Sequence, residues 1–292
     1  MPHLFVFGYG YSAQAIGREL AADTRTSWTI TGTRTHEERL TELVSLGVGG
    51  LRFDDQGLGP RAFAQLRTAT HLLVSVPPDE EGDPVLRHAR EALLTCSDLS
   101  WVGYLSSSGV YGDHGGAWVD ELTPPRPTVA RAERRVAAEG AWRALCTELD
   151  VPLQIFRLTG IYGPGRSVVD RLRAGTARRI FEPGHVFNRV HVDDIAGVVT
   201  AGLHHLDRTG VFNVADDLPS PGEDPLLFAA DEMGLPPPPR VSLSQSGLSP
   251  RGRSFYEQSR RIRNERAKKE LGWRLRYPTY REGITALLSE DD

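Results

Sequence analysis

A doubly wound parallel sheet with helices on both faces, completed by a smaller α/β cap, is the fold class this sequence predicts. Three observations carry the prediction. Short apolar runs alternate with segments of helical period over the first 160 residues, and such alternation builds a parallel sheet wrapped by right-handed crossovers. The first apolar run passes directly into 8-GYGYSA-13, a GxGxxA loop in strand–turn–helix context. Beyond about residue 163 the alternation gives way to Pro-rich stretches, 218-LPSPGEDP-225 and 235-LPPPPR-240, and to interrupted helices. That half reads as a cap on the carboxyl edge of the sheet.

Taken in order, the strand candidates are 3-HLFVFG-8, 28-WTITGT-33, the short run 51-LRFD-54, 71-HLLVSVP-77, 101-WVGYLSS-107, 153-LQIFRLTG-160 and 211-VFNVAD-216. Between them lie the amphipathic segments 12-SAQAIGRELAA-22, 36-HEERLTELVSLG-47, 84-PVLRHAREALLTC-96 and 129-VARAERRVAAEGAWRALCTEL-149. In the first of these, Ala13, Ile16, Gly17 and Leu20 share one face at i, i+3, i+4 and i+7. In the last, Val129, Val136, Ala137, Trp142 and Leu145 form the expected packing face. The expected division is a dinucleotide-binding Rossmann-type domain over 1–163, a returning strand near 187–216, and a substrate cap over most of 164–292, interleaved with the first domain.

Composition excludes several classes. Hydrophobic content of 39% and charged content of 25% suit a soluble globular chain. A net charge of −4 gives no field toward nucleic acid or anionic membrane. Segment 251–276 is locally basic, with ten Lys and Arg against three Glu, but it lacks the aromatic interleaving that stacks bases. It reads as the solvated helix 264-NERAKKELGW-273 with Asn264 as its cap. Cys96 and Cys146 sit in helical segments without metal spacing and are expected to be reduced packing residues. The beginning, MPHLFVFGYG, lacks the basic leader and cleavage site of a signal peptide, and no apolar run reaches the roughly 18 residues of a membrane span. The expectation is a cytoplasmic protein, monomer or homodimer, whose partner is a small-molecule substrate.

The glycine loop points to a dinucleotide. Gly8 permits the tight turn, Gly10 lets a pyrophosphate approach the backbone, and small Ala13 lets the helix pack on the strand. Tyr11 and Ser12 complete the loop, whose N–H groups and helix dipole face the phosphate. An NAD site usually carries Asp or Glu at the tip of the second strand. Here 31-TGTRTHEE-38 puts Thr31, Thr33 and Arg34 there. An arginine pairs with a 2′-phosphate, so NADP(H) is expected, with NAD as the other possibility. Asp54 is placed to accept from the adenine amino group, and Val76, in the 75-SVPP-78 turn, closes over the cofactor.

With these motifs and 106-SSSGVYG-112, 120-DELTPPRP-127, 157-RLTGIYGPGR-166, 189-RVHVDDIA-196 and 270-ELGW-273 in sequence order, the chain resembles the extended short-chain dehydrogenase/reductase superfamily, which includes nucleotide-sugar epimerases and dehydratases. The resemblance covers essentially the whole chain. It implies a substrate-binding hydroxyl at Ser107, with Ser108 as its competitor, and a Tyr-x-x-x-Lys pair on the next helix. Aligning that helix on Glu139 puts Arg131 at the tyrosine position and Arg135 at the lysine position, and no tyrosine lies between Tyr111 and Tyr162. The pattern is similar to the atypical branch that lacks Tyr-x-x-x-Lys. An arginine, with a pKa above about 12, is no acid or base at neutral pH. Arg135 can instead hold the cofactor ribose or a phosphate, and Arg131 can polarise a substrate carbonyl.

Tyr111, after the serine strand, and Tyr162, after the sixth strand, are the tyrosines left as catalytic candidates, either of which could face the nicotinamide from its loop. His114, in the loop 112-GDHGG-116, is free to reach a substrate. Asp193 or Asp194 is expected to cap a helix. Arg260, Arg261 and Arg263 lie where the resemblance implies a substrate diphosphate. The function expected is an NAD(P)(H)-dependent oxidoreductase or epimerase/dehydratase-like enzyme on a polar, sugar-like or phosphorylated substrate. The rival reading is a non-catalytic NADP(H)-binding sensor.

Overall fold

The structure, a computed structural model, describes residues 1–289. In chain order the strands are β1 (His3–Phe7), β2 (Thr29–Arg34), β3 (Gly49–Asp54), β4 (Gly57–Leu58), β5 (His71–Val74), β6 (Trp101–Ser107), β7 (Trp118–Val119) and β8 (Leu153–Leu158). Then come β9 (Gly160–Tyr162), β10 (Arg179–Ile180), β11 (Arg189–His191), β12 (Gly210–Val214), β13 (Arg240–Val241) and β14 (Arg261–Ile262). The helices are α1 (Tyr11–Ala22), α2 (Leu40–Ser45), α3 (Pro60–Leu66), α4 (Pro84–Leu93), α5 (Ala130–Leu149) and α6 (Val168–Arg173). They are followed by α7 (Val192–Leu203), α8 (Asp224–Glu232), α9 (Pro250–Arg253), α10 (Glu265–Leu271) and α11 (Tyr280–Ser289).

An eight-stranded sheet in the order β12-β8-β6-β5-β1-β2-β3-β4 is parallel throughout, apart from the two-residue β4. Every residue of β1 is buried, as both faces of a central parallel strand must be. The strand order reverses beside β1, with β2 and β3 on one side and β5 and β6 on the other. In such sheets the crevice at the carboxyl ends, at the reversal, is the ligand site. One face is covered by α1, α7 and α10, through Ile16, Leu20, Val198 and Leu271. The other is covered by α3, α4 and α5, through Leu66, Ala89, Leu93, Trp142 and Leu145. β12 brings the later half of the chain back into the main sheet, parallel to β8.

The α1 face is as the spacing predicts: Ala13, Ile16, Gly17 and Leu20 are all buried. Both cysteines are free and buried. Several local expectations need correction. Segment 36–47 is split into a 3-10 turn over Glu37–Arg39 and the short α2. On α5 the buried residues are Ala132, Ala138, Glu139, Trp142, Leu145 and Cys146, and Ala137 faces solvent. α7 is capped by His191, whose Nδ1 accepts from Asp193 N–H, so Asp193 and Asp194 lie in the first turn. Asn264 stands at the start of α10 but makes no capping bond, because its amide donates to Ala215 O and Asp217 Oδ1 instead. Among the described residues no helix is long and apolar enough to cross a membrane.

Candidate functional site

The glycine loop sits where the sheet topology puts a ligand. Gly8 has φ +83°, and an added Cβ would strike Val76, so glycine is required there. The loop is braced from β2: Gly8 N–H donates to Thr33 Oγ1 (2.9 Å) and Tyr9 N–H to Thr33 O (2.9 Å). Gly10 differs. Its φ is −88°, and a Cβ would meet nothing nearer than Gly8 O at 4.0 Å, so packing does not demand glycine. Gly10 also starts α1 with no side-chain cap and no acidic residue in the first turn. The N–H groups of Tyr11, Ser12 and Ala13 thus begin a twelve-residue helix open to an anion. An uncapped helix start with room above Gly10 fits a dinucleotide pyrophosphate.

At the tip of β2, Arg34 is 11% exposed, and its Nε and one terminal nitrogen are buried without a hydrogen-bond partner. Burial, together with the neighbouring Arg39 charge, pulls its pKa down, and Glu42 partly offsets this. On β3, Asp54 is already engaged: Oδ2 accepts from Arg52 Nε (2.5 Å) and Oδ1 from Gln56 N–H (2.9 Å). Its carboxylate stays below the usual range for that reason, and an adenine contact would compete with these bonds.

The serine strand ends in a polar network. Ser106 Oγ donates to Glu139 Oε1 (2.5 Å), and Glu139 holds Arg157 in a buried pair at 3.1 and 2.7 Å. Arg157 lies 4.8 Å from the centre of the Tyr111 ring. Tyr111 is fully buried and donates to Asn213 Oδ1 (2.8 Å), and burial raises its pKa. That corrects the catalytic expectation for Tyr111, which is a strut between the serine turn and β12. Ser107 and Ser108 remain. Ser107 Oγ accepts from Gly109 N–H (3.1 Å), leaving its own proton to donate. Ser108 is nearly buried, and its hydroxyl has no hydrogen-bond partner among the described residues.

On α5 the two arginines point to different tasks. Arg135 Nη1 donates to Leu105 O (2.9 Å) and Tyr104 Oη (3.2 Å), which ties the helix to the serine strand. Arg131 donates to Ser254 Oγ (2.8 Å) and lies 4.9 Å from the centre of the Phe255 ring. Arg131 is therefore a cation held against the C-terminal segment.

That segment is laced to the serine loop. His114 N–H and Gly116 N–H both donate to Ser259 O (3.0 Å each), and Ser259 N–H donates to Asp113 Oδ1 (2.8 Å). His114 Nε2 is 3.1 Å from Tyr111 O, so the ring is folded back on its own loop rather than free. Arg260 donates to Gly112 O (2.7 Å), and Arg261 to Gly116 O. Arg263 stacks on Trp118 and pairs with Glu265. Arg261 is thus committed to holding the loop, and the substrate role expected for it is replaced by a structural one. Asn188 completes the seam: its Nδ2 donates to Arg260 O and its Oδ1 accepts from Ile262 N–H, both at 2.8 Å.

A cavity of about 520 Å³ lies in the cap, lined by Arg166, Arg171 and Arg189 and by the rings of Tyr162, Phe187, Tyr256 and Tyr280. Among the described residues Asp170 is the only carboxylate on its wall, and it is occupied in a capping box with Ser167. The cavity meets the glycine loop: Tyr11 Oη donates to Pro164 O (3.0 Å), and Arg166 lies 5.7 Å from the centre of the Tyr11 ring. Tyr162 Oη donates weakly to Thr279 O, and burial raises its pKa. The sequence reading missed Arg166, Arg189 and the aromatic wall. The available signal was Arg189, a lone cation in the short apolar strand 189-RVH-191.

Comparison with known proteins agrees with this geometry. A family model described as the NAD dependent epimerase/dehydratase family matches residues 85–215. A 3-diazoavenalumate denitrifying reductase from Streptomyces is 27% identical over 77% of this chain and 79% of its own length. A conserved protein of unknown function from Silicibacter pomeroyi superposes with a TM-score of 0.89 at 43% identity over 99% of both chains. UDP-glucuronic acid 4-epimerase from Bacillus cereus, solved with NAD, shares the fold at a TM-score of 0.76 and 14% identity over 99% of both chains. Residues 85–215 thus match the NAD dependent epimerase/dehydratase family, and the glycine loop at the reversal of the sheet, the serine strand beside it and the cap over both give the whole chain the fold of the NAD-bound epimerase it superposes on.

Proposed function

We propose that this protein is an NADP(H)-dependent reductase acting on a polar, anionic small molecule that needs no side-chain acid to accept a hydride. The observation that carries the reading is the pairing of an open phosphate loop with a neighbouring cavity that holds three arginines and one occupied carboxylate. Residues 1–163 with β12 serve as the cofactor platform, and most of 164–292 caps the substrate. Gly10, Tyr11, Ser12 and Ala13 hold the pyrophosphate and Arg34 the 2′-phosphate. The nicotinamide, when bound, supplies the hydride. Ser107 or Ser108 orients the acceptor with a hydroxyl proton.

The tyrosine position holds Arg131, which carries no transferable proton at neutral pH. An acceptor that is already electron-poor, such as an iminium or diazo compound, avoids that need, whereas an ordinary carbonyl does not. The Streptomyces relative, named a denitrifying reductase of a diazo compound, supports this choice. The second reading, an NADP(H) sensor without turnover, is favoured by the same missing tyrosine. Single-turnover oxidation of bound NADPH against iminium, diazo and simple carbonyl acids separates the cases. Consumption with the electron-poor acids alone supports the proposal. Brisk carbonyl reduction would overturn it, and binding without consumption of any acceptor selects the sensor.

A further inference from the structure

Arg34 and Arg39 share one carboxylate. Glu42 Oε2 lies 3.8 Å from Arg34 Nη2 and 3.5 Å from Arg39 Nε. Glu42 sits on α2, half exposed, while the Arg34 guanidinium is nearly buried, with two nitrogens lacking hydrogen bonds. The two contacts are long for charge-assisted hydrogen bonds, which run at about 2.7–2.9 Å. Glu42 therefore offsets one of the two positive charges without saturating the donors. Nearby charges do not change this: Arg52, opposite Arg34 in the sheet register, is held by Asp54. Glu37 and Glu38 are exposed on the preceding turn, with Glu38 4.0 Å from His36.

We propose that Glu42 is an internal competitor gating the 2′-phosphate site, occupying the two arginines until a 2′-phosphate displaces it, with Arg39 as the second phosphate contact. This rests on the NADP(H) reading above. A phosphate monoester brings more charge and more acceptor oxygens than a carboxylate, so it matches both guanidinium groups better. An exposed carboxylate is cheaply displaced, because exposed ion pairs contribute little. A cofactor with a free 2′-hydroxyl has nothing to offer the arginines, and Glu42 stays in place. The gate thus weakens binding of the phosphorylated cofactor and leaves the other untouched.

Titration calorimetry on the full chain tests it, with NADPH, NADH, 2′,5′-ADP and 5′-AMP as probes. Glu42→Gln is expected to tighten NADPH and 2′,5′-ADP by about twofold to fivefold, the scale of an exposed ion pair, and to leave NADH and 5′-AMP unchanged. Arg39→Ala is expected to weaken only the two phosphorylated probes, and Arg34→Ala to narrow the gap between NADPH and NADH further. If the unmodified protein prefers NADPH but Glu42→Gln leaves it unchanged or weakens it, the gate is wrong and the cofactor reading stands. Equal tightening of all four probes would mean a general charge effect and would also remove the gate. Equal affinity of the unmodified protein for NADPH and NADH would remove the cofactor reading and the gate with it.

Discussion

Ser107 keeps a proton to donate because its oxygen, not its hydrogen, holds the Gly109 N–H. Ser108, nearly buried, presents a second hydroxyl one residue further on. In the proposed reaction these two hydroxyls are the polar contact for the hydride acceptor at the end of β6. Replacing both by alanine is expected to lower single-turnover NADPH oxidation on the order of 10²-fold, the usual cost of removing a preorganised donor. Cofactor affinity is expected to stay within a factor of about two, since the phosphate loop lies on another strand. Oxidation rates that ignore the double replacement would place the reacting atom elsewhere. Tyr111 belongs to a different class: with its hydroxyl on Asn213 and its ring over Arg157, its loss would damage the fold before any chemistry. The Glu139–Arg157 pair beneath it is equally structural, and breaking a buried pair costs about 3–5 kcal/mol.

α1 is the element whose function is easiest to isolate, because Gly10 is not needed by the packing around it. Gly10→Val is expected to fold with an unchanged melting temperature and circular dichroism spectrum while losing both NADPH and NADH, since the branched side chain fills the space above the helix start. Retained binding would put the phosphates somewhere other than the N-terminus of α1. The same element shows why the first half of the fold was legible in the sequence. A buried parallel strand reads as a continuous apolar run, and α1 carries its face at helical spacing, so period alone places β1, α1, β5 and β6. The cap offers no such period. Its strands β10, β11, β13 and β14 are two or three residues long and pair with segments far away in sequence. The cavity was invisible for the same reason: Arg166, Phe187, Tyr256 and Tyr280 come from separate segments. Tyr111 was misread because a tyrosine after a serine strand looks alike whether it faces a ligand or a buried asparagine.

Across the whole molecule, Asp216 sits where β12 leaves the sheet and enters the cap. Its N–H donates to Arg189 O, its Oδ1 accepts from Leu218 N–H (3.3 Å), and its Oδ2 is buried without a partner. Burial pushes its carboxyl up to about 8 from an ordinary 3.8, with Arg189 opposing the shift. Between those values the folded chain holds a proton that the unfolded chain has lost, so this group's stabilisation falls as pH rises through about 8. Asp194, raised by burial to about 7, adds to the same slope. His71 and His191, pulled down to about 4 by burial, act oppositely, and only up to their ordinary 6.5. Above that point the aspartates are left, and melting temperature is expected to decline from pH 6.5 toward 8.5. Asp216→Asn, which keeps the shape without the charge, is expected to make that decline shallower. A wild-type melting temperature that is flat over this range, and matched by the variant, would show Asp216 ionised throughout.

The Asn188 seam ties Arg260 and Ile262 to the cap, while Arg260 and Arg261 grip the serine loop at Gly112 and Gly116. On a ribosome these partners emerge in a fixed order, with the serine loop out first and its fastener well over a hundred residues behind it. A nascent chain therefore displays the phosphate loop early and assembles the substrate side only when translation is nearly over. A chain stalled before residue 260 carries the glycine loop but lacks both the fastener of the serine loop and the α10 residues that close the core behind α1.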